Sequence, residues 1–395
     1  MYDLLLKGGE IVDSSQGVHG VGSLAIQNGR IASVGKDIPG EAKEVWDVEG
    51  KIVTSGLIDI HCHPVAGFLK IGVPADETGV DMGVTLQCDA GSSGAANFDT
   101  MRRLVMGSAK TEMFCFLNLA TTGLVKMPEI LTKHDFDIEY SKSVVEANRD
   151  RIKGIKIRAI EALAEGVGIG AVEAAKKLAK DLHLPLMVHI GEARKRLPKD
   201  KLDDFSRAVV SLLERGDILS HYLTWEPGGM ILMDGTVYPE LEEARKRGVI
   251  LDSCHGLNHF SFTIARHAIA QGFLPTVIST DMATLGRPAV QSLPVVMSKF
   301  INVGLGVDQV VEMTTVNPAR ALGEETERGS LKPGMKADIT IMELVKRDVI
   351  FSDGNGLERL RGEVLLEPRM VFKAGKAMPA YSGYRLPPLY SERAG

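Results

Sequence analysis

The chain has 395 residues, 44% of them hydrophobic and 25% charged, and its 46 basic and 51 acidic side chains leave a net charge of −5. That composition excludes disordered, collagen-like and coiled-coil chains, and without a basic excess nucleic acid is not expected as the main partner. At about 150 residues per domain the length allows two or three domains.

The first 54 residues alternate short apolar runs with turn signals, and Asn28-Gly29 inside SLAIQNGRIASVG marks a hairpin. The opening MYDLLLKGGEIVD has only a three-leucine run, too short for the apolar region of a signal peptide, and no stretch approaches the roughly 18 apolar residues of a membrane helix. Cys62, Cys88, Cys115 and Cys254 lie far apart without a paired spacing, which predicts a reducing compartment and a cytoplasmic protein with no membrane contact.

From residue 55 to 329 the texture changes. LIDIH, VTLQCD, MFCFLNLA, IKGIKI, LPLMVHI, DILSHY, GVILDS and PTVISTD read as eight buried strands, divided by amphipathic stretches such as AVEAAKKLAKDLH. Repeated β-α units of this size predict an α/β fold, a (β/α)8 TIM barrel over 55–329. The β texture returns in GSLKPGMKADITIMEL and EPRMVFKAGKAM. Residues 1–54 and 330–380 are therefore predicted to build a small β-sandwich domain beside the barrel, and 381–395 an irregular tail.

Polar residues fall where the predicted strands end. Side chains alternate along a strand, so His61 and His63 point the same way and can reach one metal, while Cys62 between them is a core thiol. Lys156, His189, His221 and Asp281 fall on four more strand ends, and in a TIM barrel such ends share one mouth. A single histidine there is more often a hydrogen-bonded core residue than a ligand; six residues of fitting type on five strand ends are not expected by chance. Arg158 shares the face of Lys156, where gripping a substrate carboxylate and forming a rim salt bridge are both open. His255, just past the seventh strand, can contact substrate or make a loop hydrogen bond. His19, His134, His183, His259 and His267 fall in loops or helices and are assigned no catalytic role. Gly166, Gly168 and Gly170 have the wrong spacing for a dinucleotide loop and predict a helix start; Gly91-Ser92-Ser93-Gly94 lacks the Lys-Ser or Lys-Thr of a phosphate loop and predicts a pocket loop.

These motifs resemble the amidohydrolase superfamily, specifically its binuclear branch of dihydroorotases, hydantoinases and deacetylases. The resemblance covers nearly the whole chain and is carried by SLAIQNGRIASVG, VTSGLIDIHCH, GIKIRA, LMVHIGE, ILSHYLT, VISTD, TVNPARALG and GSLKPGMKADITI. DAGSSGAANF, DSCHG and MSKFINVGL, with GIKIRA, are similar to a deacetylase-type subgroup acting on acetylated chiral carboxylates. The resemblance implies two divalent ions, zinc being favoured: His61, His63 and Asp281 on one, His189 and His221 on the other, and Lys156, carboxylated by carbon dioxide, bridging them. Lys153 is the rival but sits one pleat too early.

The implied function is metal-dependent hydrolysis of an amide or ester in a small molecule, deacetylase-like, by attack of a metal-bridging hydroxide, with Asp281 accepting the proton and returning it to the leaving group. A homo-oligomer is compatible with this. The alternatives are a cyclic amidohydrolase of dihydroorotase or hydantoinase type, and a non-catalytic scaffold on the same fold. Dihydroorotases carry an arginine two residues beyond the second histidine, whereas His63 is followed by Pro64 and Val65. The histidine that follows the aspartate in deacetylase relatives is also missing, since Met282, Ala283 and Thr284 follow Asp281.

Overall fold

The computed structural model describes residues 1–193, 196–354 and 356–384. Five strands open the chain: β1 (Tyr2–Asp13), β2 (Val18–Gln27), β3 (Arg30–Gly35), β4 (Ala42–Asp47) and β5 (Ile52–Ser55). Seven more follow, β6 (Leu57–Cys62), β7 (Val84–Ala90), β8 (Glu112–Asn118), β9 (Ile152–Arg158), β10 (Leu186–His189), β11 (Ile218–Ser220) and β12 (Ile250–Asp252). Near the end lie β13 (Ile339–Ser352), β14 (Arg359–Lys373) and β15 (Lys376–Pro379).

Strands β6 to β12 form one parallel sheet in chain order. Their residues are almost all buried, as expected when helices cover one face and the strands' own inward side chains fill the other. The intervening helices supply the cover: Ile169–Asp181 buries Ala171, Val172, Ala175, Leu178 and Ala179, a stripe at helical spacing. That helix starts just after Gly168 at φ 69°, as the glycine spacing predicts.

The eighth predicted run, PTVISTD, is not a regular strand. It joins the sheet through two isolated parallel bridges, Val277 to Asp252 and Met282 to Cys62, and so links the two outer strands. Asp281 at its end takes φ 48°, a left-handed conformation that leaves the strand path, and its N–H turns to His61 O at 2.6 Å. Eight regular strands are thus corrected to seven and a bridged segment.

The second sheet draws on both chain ends, in the order β15-β14-β13-β5-β1-β2-β3 with β4 paired to β1. Asn28 and Gly29, both at positive φ, turn the β2–β3 hairpin. Leu4, Leu6, Leu24, Ile26, Ile339 and Phe372 join in its apolar core. Only Gly56 separates β5 from β6, and a Cβ there would collide with Thr85, so the chain can switch sheets directly ahead of His61. Beyond β15, residues 381–384 are irregular, and 385–395 of the expected tail lie outside the described residues. No described helix is long and apolar enough to cross a membrane.

Candidate metal centre

The C-terminal ends of the parallel strands meet at a cavity of about 210 Å³ lined by His61, His63, Lys156, Arg158, His189 and Asp281, among others. His221 stands behind this lining, its ring 4.3 Å from that of His189 and 5.3 Å from that of His61, centroid to centroid. Cys62 alternates away as expected, its Sγ facing the Asp59 and Cys88 carbonyls at 3.8 and 3.5 Å.

Asp281 Oδ1 lies 3.2 Å from His63 Nε2 and 3.8 Å from His61 Nε2, and Lys156 Nζ lies 3.2 Å from His61 Nε2. The other nitrogen of each ring is held from behind. His61 Nδ1 meets Ser220 Oγ at 3.1 Å and Asp252 Oδ2 at 3.2 Å; His63 Nδ1 meets Ser92 Oγ at 2.8 Å. His221 Nδ1 donates to Cys254 O at 2.8 Å. Partners behind a ring fix its tautomer and aim Nε2, the arrangement that supports ligating histidines. Ser92 belongs to the loop 91–94 predicted to be a pocket loop; it stands behind His63, while the lining itself takes Ala90 and not the loop.

Burial holds the imidazoles of His61, His189 and His221 well below their ordinary pKa, so they are neutral, the state in which a ring nitrogen can bind metal. Burial also brings Lys156 down from 10.5 to about 8, against the pull of nearby acidic groups, and among the described residues no carboxylate pairs with its amine. For Asp281 burial pushes the carboxyl up, but the His63 hydrogen bond and the neighbouring rings hold it below the usual carboxylate range. Burial raises Asp252 to about 6.

Two groups of donor atoms each lie within 4.8 Å of one another: His61, His63 and Asp281, and His61, His221 and Cys254. Imidazoles with a carboxylate suit a borderline divalent ion, so the residues present fit such a metal. His189 touches His221 but contributes to neither group. His221, Cys254 and Asp281 all carry positive φ, at 66°, 37° and 48°. Strained non-glycine backbone of this kind gathers where surrounding structure imposes it, often at functional sites.

Other expectations sort themselves by contact. Arg158 lines the cavity and also pairs with the buried Glu129 at 3.3 Å, so the rim salt bridge is present without removing Arg158 from the cavity. Lys153 pairs with Glu324 at 2.6 Å over the Phe114 ring, outside the cavity lining. Of the two readings of His255 the structure carries the loop hydrogen bond, Nδ1 donating to Gly256 O at 2.8 Å, and corrects the substrate contact: the residue is fully buried, absent from the cavity lining, stacked on Phe260 and 2.7 Å from Lys299 Nζ. His259, assigned no role, does line the cavity, with its ring 4.8 Å from His189 and 4.4 Å from His221. Asp252 and Cys254, in the same DSCHG segment as His255, face the site as well, and no periodicity in the sequence marks them.

A family model described as the amidohydrolase family matches residues 52–378. A deacetylase of Agrobacterium fabrum is 34% identical over 361 residues, covering 89% of this chain and 85% of the relative. Among solved structures, one titled a dihydroorotase superposes with a TM-score of 0.85 at 31% identity, covering 96% of this chain and 98% of its own. Another, titled an adenine deaminase, gives 0.86 at 29%, covering 96% and 100%.

Proposed function

The chain belongs to the amidohydrolase family and is a hydrolytic enzyme, and we propose that it is a metal-dependent, deacetylase-like hydrolase of an amide or ester in a small acylated carboxylate. The observation that carries this reading is the convergence of His61, His63, Lys156, His189 and Asp281 on one cavity.

On this reading His61, His63 and Asp281 would hold one divalent ion, His189 and His221 would hold a second, and Lys156, as a carbamate, would supply an anionic ligand to them, with zinc as the metal. A neutral amine is what reacts with carbon dioxide, and the depressed pKa of Lys156 favours it. Bound divalent ions supply a water acidified toward neutrality and polarisation of the scissile carbonyl. Asp281, ionised and open to the cavity, takes the proton of the attacking water and returns it to the leaving nitrogen or oxygen. Arg158 grips the substrate carboxylate, and the apolar wall of Leu124, Met127, Leu257 and Leu285 receives the acyl group.

The likeness to the solved dihydroorotase favours a second reading, cyclic-amide hydrolysis. Assaying zinc-loaded protein on N-acetyl amino acids, acetylated hydroxy acids and cyclic amides separates the two: turnover of the acetylated compounds alone supports the deacetylase reading, and turnover of cyclic amides alone replaces it. We further propose that the terminal sheet forms a sandwich domain of residues 1–54 and 330–380 beside a barrel domain of 55–329, its separate apolar core being the support. Four free, buried cysteines support a cytoplasmic location. The partner is a small-molecule substrate rather than nucleic acid or membrane, and a homo-oligomer is compatible.

A further inference from the structure

We propose that Cys254 is a metal ligand, binding through Sγ the same ion as His221. This rests on the metal centre proposed above and adds a thiolate to it.

One donor atom each from His61, His221 and Cys254 lies within 4.8 Å of the others, and all three residues are buried; His61 also belongs to the group with His63 and Asp281, where it is assigned above, so the pair new to the second ion is His221 and Cys254. Within the group, Cys254 Sγ is 3.5 Å from His221 Nε2. Zinc bonds of about 2.0–2.1 Å to nitrogen and about 2.3 Å to sulfur, opened to a tetrahedral angle, separate the two donor atoms by about 3.6 Å. The pair is thus already at the spacing one ion requires. Tautomer points the same way, because His221 Nδ1 donates its proton to Cys254 O at 2.8 Å and leaves Nε2 with a lone pair turned to the sulfur. Neighbouring segments carry the two residues, β11 leading into His221 and β12 into Cys254, so the spacing is set by parallel strand pairing and not by a free loop. When the metal–sulfur bond forms, the thiol proton leaves to solvent. A soft ligand of this kind biases the site toward zinc, cobalt or cadmium over magnesium and manganese.

The test is to strip the protein with chelator, reload it with Co²⁺, measure cobalt per chain by elemental analysis, and record the near-ultraviolet spectrum for a thiolate-to-cobalt charge-transfer band. The expected result is bound cobalt with that band, lost in Cys254→Ser and in Cys254→Gly, and kept in Cys62→Ala, Cys88→Ala and Cys115→Ala. The glycine variant suits the left-handed backbone at Cys254. If both Cys254 variants fail to fold, the band in the wild type and its survival in the other three variants assign it by elimination, because the chain has four cysteines. Cobalt uptake without the band overturns the Cys254 ligand alone. No uptake overturns the metal centre and this proposal with it.

Discussion

Lys156 Nζ and His61 Nε2 sit 3.2 Å apart, both buried, and two cations cannot share that space. At least one is neutral, and burial pushes both that way. If a carbamate on Lys156 bridges two ions, Lys156→Ala removes an anionic ligand of both. Losing a group behind a ligand costs about 10- to 100-fold in metal affinity or activity, so losing the bridge should cost at least about a hundredfold. Elemental analysis should show most metal gone, and short carboxylates such as acetate should restore part of the rate. Full metal content and full activity would place the bridge elsewhere.

Asp281 is predicted to serve as ligand and proton carrier. Asparagine keeps its shape and one coordinating oxygen but cannot accept and return a proton. General base catalysis contributes about 10²- to 10⁴-fold, so Asp281→Asn should lose at least about a hundredfold in turnover while elemental analysis finds metal still bound. Near-normal turnover in the metal-loaded variant assigns the proton to another group, and His259, which lines the same cavity, is the next to test.

What could be read from sequence follows physical range. His61 and His63 were legible because strand alternation is local, and the buried parallel strands because two-sided burial writes itself as apolar runs. The eighth run reads as a strand because PTVISTD is apolar and β-branched, but it pairs only through the bridges at Val277 and Met282, and the left-handed turn at Asp281 is not written in it. Sequence leaves His255 open between substrate and loop because the side chain that claims it, Lys299, lies 44 positions on, in the helix Leu293–Asn302. His259 was missed because no periodicity marks an irregular turn, and only tertiary structure brings its ring against His189 and His221.

Arg158 is predicted to bind the substrate carboxylate while Glu129 steadies it at 3.3 Å. A hydrogen bond to a charged group is worth about 1.5–3 kcal/mol, so Arg158→Met should raise KM for acylated carboxylates about ten- to a hundredfold, toward the lower figure for a partly exposed side chain. The matching uncharged amide substrate should lose much less. Lysine at this position should recover part of the affinity, since it keeps the charge without the bidentate fork. Equal losses on charged and uncharged substrates would mean that Arg158 acts only on the wall of the cavity.

Lys299 predicts a pH dependence of stability. Its nitrogen is fully buried, 2.7, 2.9 and 2.8 Å from His255 Nε2, Ala289 O and Ser352 O. Burial lowers its pKa from 10.5 to about 7, with the charge of Asp353 opposing. Between pH 7 and 10.5 the unfolded chain therefore holds a proton that the folded chain has released, and stability rises with pH across that window by up to about 1.4 kcal/mol per unit. Below about pH 7 both states are protonated and this slope vanishes. Lys299→Met removes the titration and leaves buried acceptors unpaired, at a cost of about 1–3 kcal/mol for a lost partner. Urea unfolding of wild type and variant between pH 7 and 10 isolates the effect, because other titrating groups cancel in the difference. The wild type should gain on the variant as pH rises; a gap that stays constant would mean that Lys299 keeps its ordinary pKa, its ammonium held charged in the interior by its three acceptors.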